Sequence, residues 1–121
     1  MADLRDDIRA LYALADGGAG LAELLDGICE ALERHPREVR DINASYRVHA
    51  TDTGATRAFA LENGAFRTLE EAENADVTVL GSEADLLRVF RRQLAPAAAL
   101  LLGKIKVKGN KAALMRFAEF L

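Results

Sequence analysis

The chain lacks tryptophan, holds one cysteine and two prolines, and draws only 6% of its 121 residues from phenylalanine and tyrosine. A lone Cys29 closes no internal disulfide, which fits a reducing compartment. His35 and His49 stand at no metal-ligand spacing to each other or to Cys29, so no metal is expected. No run approaches the roughly 18 apolar residues of a membrane-spanning helix. Met1-Ala2-Asp3-Leu4 has no basic region followed by an apolar block, so no signal peptide is expected. Glu119-Phe120-Leu121 is not a peroxisomal address, and the expected location is cytoplasmic. There is no G-x-S-x-G elbow and no H-E-x-x-H helix. Gly103-Lys104 and Gly109-Asn110-Lys111 lack the frame of a phosphate-binding loop. The carboxylates crowd into exposed helices and the 70–76 link, with no isolated acidic pair in apolar surroundings. No catalytic residue and no cofactor are therefore expected.

What is present is apolar. Half the residues are hydrophobic and the length suits one core, so the chain reads as a single folded domain. The net charge of −3 is unevenly spread: residues 1–81 carry 16 acidic and 8 basic groups, and residues 82–121 carry 3 acidic and 8 basic groups. Such a split either orients the protein toward an anionic surface or ligand, or reflects two differently solvated faces. Lys104, Lys106, Lys108 and Lys111 with Arg88, Arg91 and Arg92 are the whole case for nucleic acid. The acidic balance and the scarcity of aromatics speak against it, and no nucleic-acid partner is expected.

Periodicity predicts a helix over residues 3–15, with Asp3 as its cap and Leu4, Ile8, Leu11 and Tyr12 on one stripe. A second spans residues 20–34 with Leu21, Leu24, Leu25, Ile28 and Leu32 on one face. Cys29 beside that stripe reads as a core filler, and His35, just before Pro36, as a cap or surface residue. The period then changes to two. Residues 45–50 alternate, with Tyr46, Val48 and Ala50 on the inner face and Ser45, Arg47 and His49 on the outer. Residues 56–62 form a second strand with Phe59 and Leu61 inward. Asn63-Gly64 signals a type I′ hairpin turn, so residues 65–69 pair back antiparallel. A fourth strand covers residues 77–80. Ser82 caps a third helix carrying Leu86, Leu87, Val89 and Phe90, with Asp85 at the capping-box position. Pro96 opens a short apolar helix over residues 97–102, residues 104–108 form a fifth strand, and Asn110 caps a closing helix of about 11 residues, roughly 17 Å long. One α+β domain follows.

The stretch 94–121 thus presents an apolar wall, a basic strand and a terminal helix. Leu86, Phe90 and Leu94 share a helical face, Leu100, Leu101 and Leu102 follow, and Leu114, Phe117, Ala118 and Leu121 stripe the last helix. These residues form either an ordinary core or a cavity wall. The last helix has nearly every non-basic position apolar, so it must bury more than one face or meet a lipid, a partner or a ligand.

Several strings here resemble the sterol carrier protein 2 (SCP2) domain. They are Leu94-x-Pro96 with Gly103-Lys104-Ile105-Lys106-Val107-Lys108-Gly109-Asn110, the upstream Ala75-Asp76-Val77-Thr78-Val79 followed by Ser82-x-x-Asp85, and Phe59-x-Leu61-x-Asn63-Gly64. The similarity covers residues 44–121 and reaches back to Leu21. It divides the chain into an N-terminal helix extension, residues 1–18, and an SCP2-like domain, residues 19–121, in one compact unit. The resemblance implies a five-stranded, mostly antiparallel mixed sheet covered on one face by helices. It also implies an apolar tunnel for a fatty acid, fatty acyl-CoA or sterol-like lipid, with the C-terminal helix as its lid. The expected wall is Leu86, Phe90, Leu94, Leu100, Leu101, Leu102, Leu114, Met115, Phe117 and Leu121. Lys104, Lys106 and Lys108 are the expected contacts to a headgroup or an anionic membrane. Family members often carry glutamine where Leu102 stands, which points to a less polar ligand end there and to an alkyl chain rather than a sterol. The expected function is non-catalytic lipid carriage. An interaction or dimerisation module, or a substrate-holding accessory subunit built on the apolar C-terminal helix, is the alternative, and homo-oligomerisation stays open.

Overall fold

The computed structural model describes residues 3–70 and 73–118. Its elements are α1 (Leu4–Asp16), α2 (Leu21–Arg34), β1 (Ala44–Ala50), β2 (Thr56–Glu62), β3 (Ala65–Thr68), β4 (Val77–Gly81), α3 (Glu83–Phe90), α4 (Pro96–Leu101), β5 (Ile105–Gly109) and α5 (Lys111–Ala118). They form the expected α+β fold. Five strands in the order β3-β2-β1-β4-β5 make one mixed sheet, antiparallel everywhere except between β1 and β4.

Local chemistry accounts for most boundaries. The Asp3 carboxylate accepts the Asp6 amide at 2.9 Å and starts α1. Ser82 Oγ accepts the Asp85 amide at 3.2 Å at the head of α3, and Asn110 Oδ1 accepts the Ala113 amide at 3.1 Å at the head of α5. Asn63 and Gly64 both adopt positive φ, 52° and 85°, as the tight turn between β2 and β3 requires. Lys104 precedes β5 in a turn rather than opening the strand.

The helices share one core on one face of the sheet. Leu4, Ile8, Leu11 and Ala15 of α1 are buried against α2, whose own Leu24, Leu25, Ile28 and Leu32 face inward. His35 is more than a surface cap: its ring meets Asp7 at 2.8 Å and Glu38 at 3.2 Å, and Glu38 accepts the Leu4 amide at 2.8 Å. That cluster ties the start of α1 to the end of α2.

The other face is crossed by the link between β3 and β4. Arg47 donates to the Glu70 carbonyl at 3.0 Å, and Arg67 pairs with Glu73 at 3.0 Å. Ser45 and Asp76 exchange two hydrogen bonds: the Ser45 amide donates to the Asp76 carboxylate at 2.9 Å, and the Asp76 amide to Ser45 Oγ at 2.8 Å. The crossing explains why Ser45, on the strand face that alternation marks as outward, is buried. It also sets β4 beside β1 in parallel, because the chain recrosses the sheet before the new strand begins.

Asp76 reaches further. Its carbonyl accepts the Asn110 amide at 2.9 Å, so the residue entering β4 also holds the residue leaving β5. Gly109 lies between them at φ 96°, and a β-carbon there would strike the Asp76 carbonyl oxygen. Gly109→Ala therefore combines a left-handed backbone penalty with a clash against main chain, and should cost more than about 2 kcal/mol of stability. Urea unfolding reads this as a lowered midpoint, and a loss below about 0.5 kcal/mol would contradict the packing described.

Candidate functional site

Between the sheet and the helices lies a cavity of about 490 Å³. The sheet supplies its floor. Tyr46 and Val48 alternate inward from β1, and cross-strand pairing sets Phe59 of β2 opposite Tyr46 and Val79 of β4 opposite Val48. Ile105 of β5 completes the floor. The roof is helical: Tyr12 of α1, Leu21, Leu25 and Ile28 of α2, and Leu86, Val89 and Phe90 of α3. Leu114 and Phe117 of α5 close one side. Arg92, Ala95 and Pro96 are the lining residues that also stand exposed to solvent, so the cavity opens between the end of α3 and the start of α4.

Aromatic contacts hold the inner wall. Tyr46 lies 5.4 Å from Phe59 and 4.8 Å from Phe117, centroid to centroid, and Phe59 lies 5.7 Å from Phe117. The Tyr46 hydroxyl donates to the Ala113 carbonyl at 3.2 Å, fastening α5 to β1. Burial raises the Tyr46 pKa, followed by the field of Asp76, so the phenol stays a neutral donor. At the mouth, Tyr12 packs edge-on against Phe90 at 5.2 Å, and the Arg92 guanidinium lies 4.5 Å from the Tyr12 ring centroid.

The structure brings together five of the expected wall residues: Leu86, Phe90, Leu94, Leu114 and Phe117. Leu100 packs against the core without lining the cavity. Leu101 and Leu102 stand 89% and 67% exposed, and Met115 51% exposed, all outside the wall. Helical geometry gives the reason. Short α4 buries Ala99, and at 3.6 residues per turn Leu101, two residues on, faces the other way. Leu102 is the C-cap of α4, where the chain turns at Gly103. The inference about ligand polarity drawn from Leu102 therefore loses its footing. On α5 the Leu114–Phe117 stripe faces the cavity and Met115 faces solvent. Leu121 lies outside the described residues.

The lysines lie elsewhere. Val107 pairs with Val79, on the cavity side, so Lys106 and Lys108 alternate onto the opposite face of the sheet. Lys104 is exposed in the turn before β5. His49 contacts Thr56 Oγ1 on that same outer face.

Sequence reasoning assigned Tyr12, Leu21, Leu25, Ile28, Tyr46, Val48 and Phe59 to helix stripes and inward strand faces, and went no further. Period alone does not separate a core position from a cavity wall. Arg92 left no signal in the pattern. Its place at the mouth follows from a backbone turn that only the structure shows.

Among the described residues no cluster of histidine, cysteine or acidic side chains could hold a metal ion. Cys29 packs against the core outside the cavity wall, and burial, reinforced by Asp26, pushes its pKa to about 11. A thiol so placed is a poor nucleophile. No helix among the described residues is long and apolar enough to cross a membrane.

A family model described as the SCP-2 sterol transfer family matches residues 25–121. No curated protein matches the chain. Among solved structures, Sterol Carrier Protein-2 like-3 from Aedes aegypti has a TM-score of 0.59 at 22% identity, covering 84% of this chain and 96% of that one. A palmitated SCP2L2 from Aedes aegypti, solved in solution, has a TM-score of 0.62 at 19% identity, covering 84% and 93%. The stereoselective inverting sec-alkylsulfatase Pisa1 from Pseudomonas sp. has a TM-score of 0.62 at 23% identity over 79% of this chain, which spans 16% of that chain's length. At these identities the likeness is one of fold.

The Tyr46 tether gives a direct check on how α5 is held. Tyr46→Phe keeps the ring contacts and deletes one partly buried hydrogen bond, worth about 0.5–1.5 kcal/mol. Amide exchange in α5 should quicken by roughly 2- to 12-fold at 25 °C. Unchanged exchange would mean that α5 is held by Phe117 and Leu114 alone.

Proposed function

The chain belongs to the SCP-2 sterol transfer family, and on that footing we propose that it binds and carries a lipid in its internal cavity without transforming it. The observation that carries the reading is the cavity wall: about 490 Å³ lined, among the described residues, by side chains that are apolar but for the hydroxyls of Tyr12 and Tyr46 and the guanidinium of Arg92. That volume lies within the roughly 300–1,000 Å³ of small-molecule sites. A space so lined rewards an alkyl chain by about 0.8 kcal/mol per CH₂ removed from water and offers few partners to a polar ligand. A fatty acid, a fatty acyl-CoA or a sterol-like molecule suits it. The ligand enters at the mouth between α3 and α4 or by displacement of α5, and Lys106 and Lys108 on the outer face meet an anionic membrane during exchange.

The test is occupancy. Denaturing extraction of the purified protein should yield co-purified lipid by mass spectrometry, and a delipidated sample should bind a fluorescent fatty acid saturably. Val89→Trp, which adds bulk at a half-buried wall position, should weaken that binding by more than about tenfold, since small-to-large changes fill a cavity that a packed core would refuse. Failure to detect either extracted lipid or saturable binding would sink the reading.

A second reading rests on the leucines that the cavity leaves out. Leu101 and Leu102 on α4 and Met115 on α5 present apolar surface to solvent. They suit an interaction module that docks on a second copy of the chain or on an enzyme needing a lipid-holding domain. Light scattering should then report a mass above that of the monomer, reduced to the monomer by Leu101→Ser with Leu102→Ser. A monomeric parent protein rules out self-association.

A further inference from the structure

Leu101 and Leu102 stand side by side at 89% and 67% exposure, the two most exposed large apolar side chains among the described residues. Apolar residues scattered singly over a surface are ordinary. These two are adjacent, and the turn they sit on does not call for leucine. Leu102 is the C-cap of α4, and Gly103, at φ 70°, makes the left-handed turn that follows. A polar residue would serve equally well at a solvent-facing cap. The turn also stands clear of the fold: a β-carbon on Gly103 would meet nothing within 4 Å.

The pair belongs to a longer uncharged stretch. From Gln93 to Gly103 the chain carries no ionisable side chain. Ala95, Pro96 and Ala97 are exposed at one end of α4, Leu101 and Leu102 at the other, and exposed Lys104 follows. Ala95 and Pro96 also line the cavity at its mouth. A helix rises about 1.5 Å per residue, so the leucines lie within roughly 10 Å of that opening. Size then decides between occupants. A stable protein interface covers about 800 Å² and roughly 20–30 residues on each partner. A lipid surface needs no matching shape: it takes a few inserted apolar side chains and holds a flanking base at the level of its headgroups. Lys104 supplies that base. The nearest acidic residues along the chain are Asp85 and Glu119, so the local sequence places no carboxylate against an anionic headgroup.

We propose that the end of α4 docks the protein on a lipid surface: Leu101 and Leu102 insert among the acyl chains, Lys104 meets anionic headgroups, and Ala95 and Pro96 bring the cavity mouth against the bilayer. This rests on the lipid-carrying reading above and adds where the cargo is exchanged, at the mouth and without passage through water. The contact is reversible, because two leucines and one lysine hold far less firmly than a spanning helix. A protein seated on the same leucines is the competing outcome.

Flotation of the full chain with vesicles separates the outcomes, using phosphatidylcholine alone and equal parts of phosphatidylcholine and phosphatidylserine. The parent should bind both, and the anionic vesicles about fivefold more tightly, the increment of one lysine at such a surface. Lys104→Gln should remove that increment. Leu101→Ser with Leu102→Ser should weaken binding to both vesicle types by more than about tenfold. The same double variant should keep the parent's urea midpoint and its affinity for a fluorescent fatty acid in solution, because neither leucine packs in the core or lines the cavity. The chain has no tryptophan, so Leu102→Trp provides a single reporter. Its emission should shift to the blue on adding vesicles and be quenched by brominated acyl chains, whereas Leu14→Trp, at the half-exposed leucine of α1, should do neither. Vesicle binding that survives the serine pair, or that is lost only with Lys106→Gln and Lys108→Gln, puts the contact elsewhere and overturns the proposal. A parent that stays off both vesicle types overturns it too, and a dimer that the serine pair dissociates would then give the leucines to a protein. A parent that docks through Leu101 and Leu102 yet binds no fatty acid upholds the docking surface and overturns the carrier reading.

Discussion

Asp76 is the residue on which the arrangement turns. Its carboxylate and amide lock onto Ser45 at the start of β1, and its carbonyl takes the amide of Asn110 at the start of α5. One short peptide segment thereby sets the parallel seam between β1 and β4, ends β5 and positions the helix that closes the cavity. Each of these bonds is worth only about 1 kcal/mol on its own. Their effect is geometric: none can shift without moving the other two. Gly109 beside this junction must be glycine because Asp76 leaves no room for anything else.

From that frame the cavity follows as a consequence of unequal side chains. The sheet offers a floor of aromatic and β-branched residues, and α2 and α3 lie over it with Leu25, Ile28, Leu86 and Phe90. The segment between α3 and β5 holds four alanines among its 14 residues, and its short helix buries little more than Ala99. Of that segment Leu94, Ala95 and Pro96 line the cavity, and an unfilled apolar space is costly unless something occupies it. Tilted ring contacts among Tyr46, Phe59 and Phe117 tie β1, β2 and α5 together along the inner wall.

The uneven charge of the chain resolves into separate tasks. Arg91 and Arg88 are paired with carboxylates, Arg92 stands at the mouth over Tyr12, and the lysines of β5 face away on the outer side of the sheet. The pair between Asp16 and Arg91 also joins the acidic N-terminal part to the basic C-terminal part next to the opening. Alternation along β5 and the turn after α3 thus distribute the basic groups among the described residues of 82–118 over different surfaces.

The sequence by itself determined the elements and their order. Helix stripes, strand alternation, the caps at Asp3, Ser82 and Asn110, and the Asn63-Gly64 turn are all local, and local chemistry acts within a few residues, so each was legible. So was the fold, through strings such as Asp76-Val77-Thr78 and Lys108-Gly109-Asn110, which the structure shows touching one another. Five of the wall leucines and phenylalanines could be named: Leu86, Phe90, Leu114 and Phe117 sit on helix stripes, while Leu94, expected on the same helical face as Leu86 and Phe90, reaches the wall from the turn after α3, which ends at Phe90. What tertiary structure alone decided is which apolar residues line space and which meet solvent. Leu101, Leu102 and Met115 are as greasy as Leu86 and Leu114, yet they point outward, because orientation depends on how each helix is rolled against the sheet and not on its composition. The place of Arg92 was decided the same way: a left-handed turn carries no mark in a string of arginines, and only the packed chain sets that guanidinium over Tyr12, at the door of the cavity.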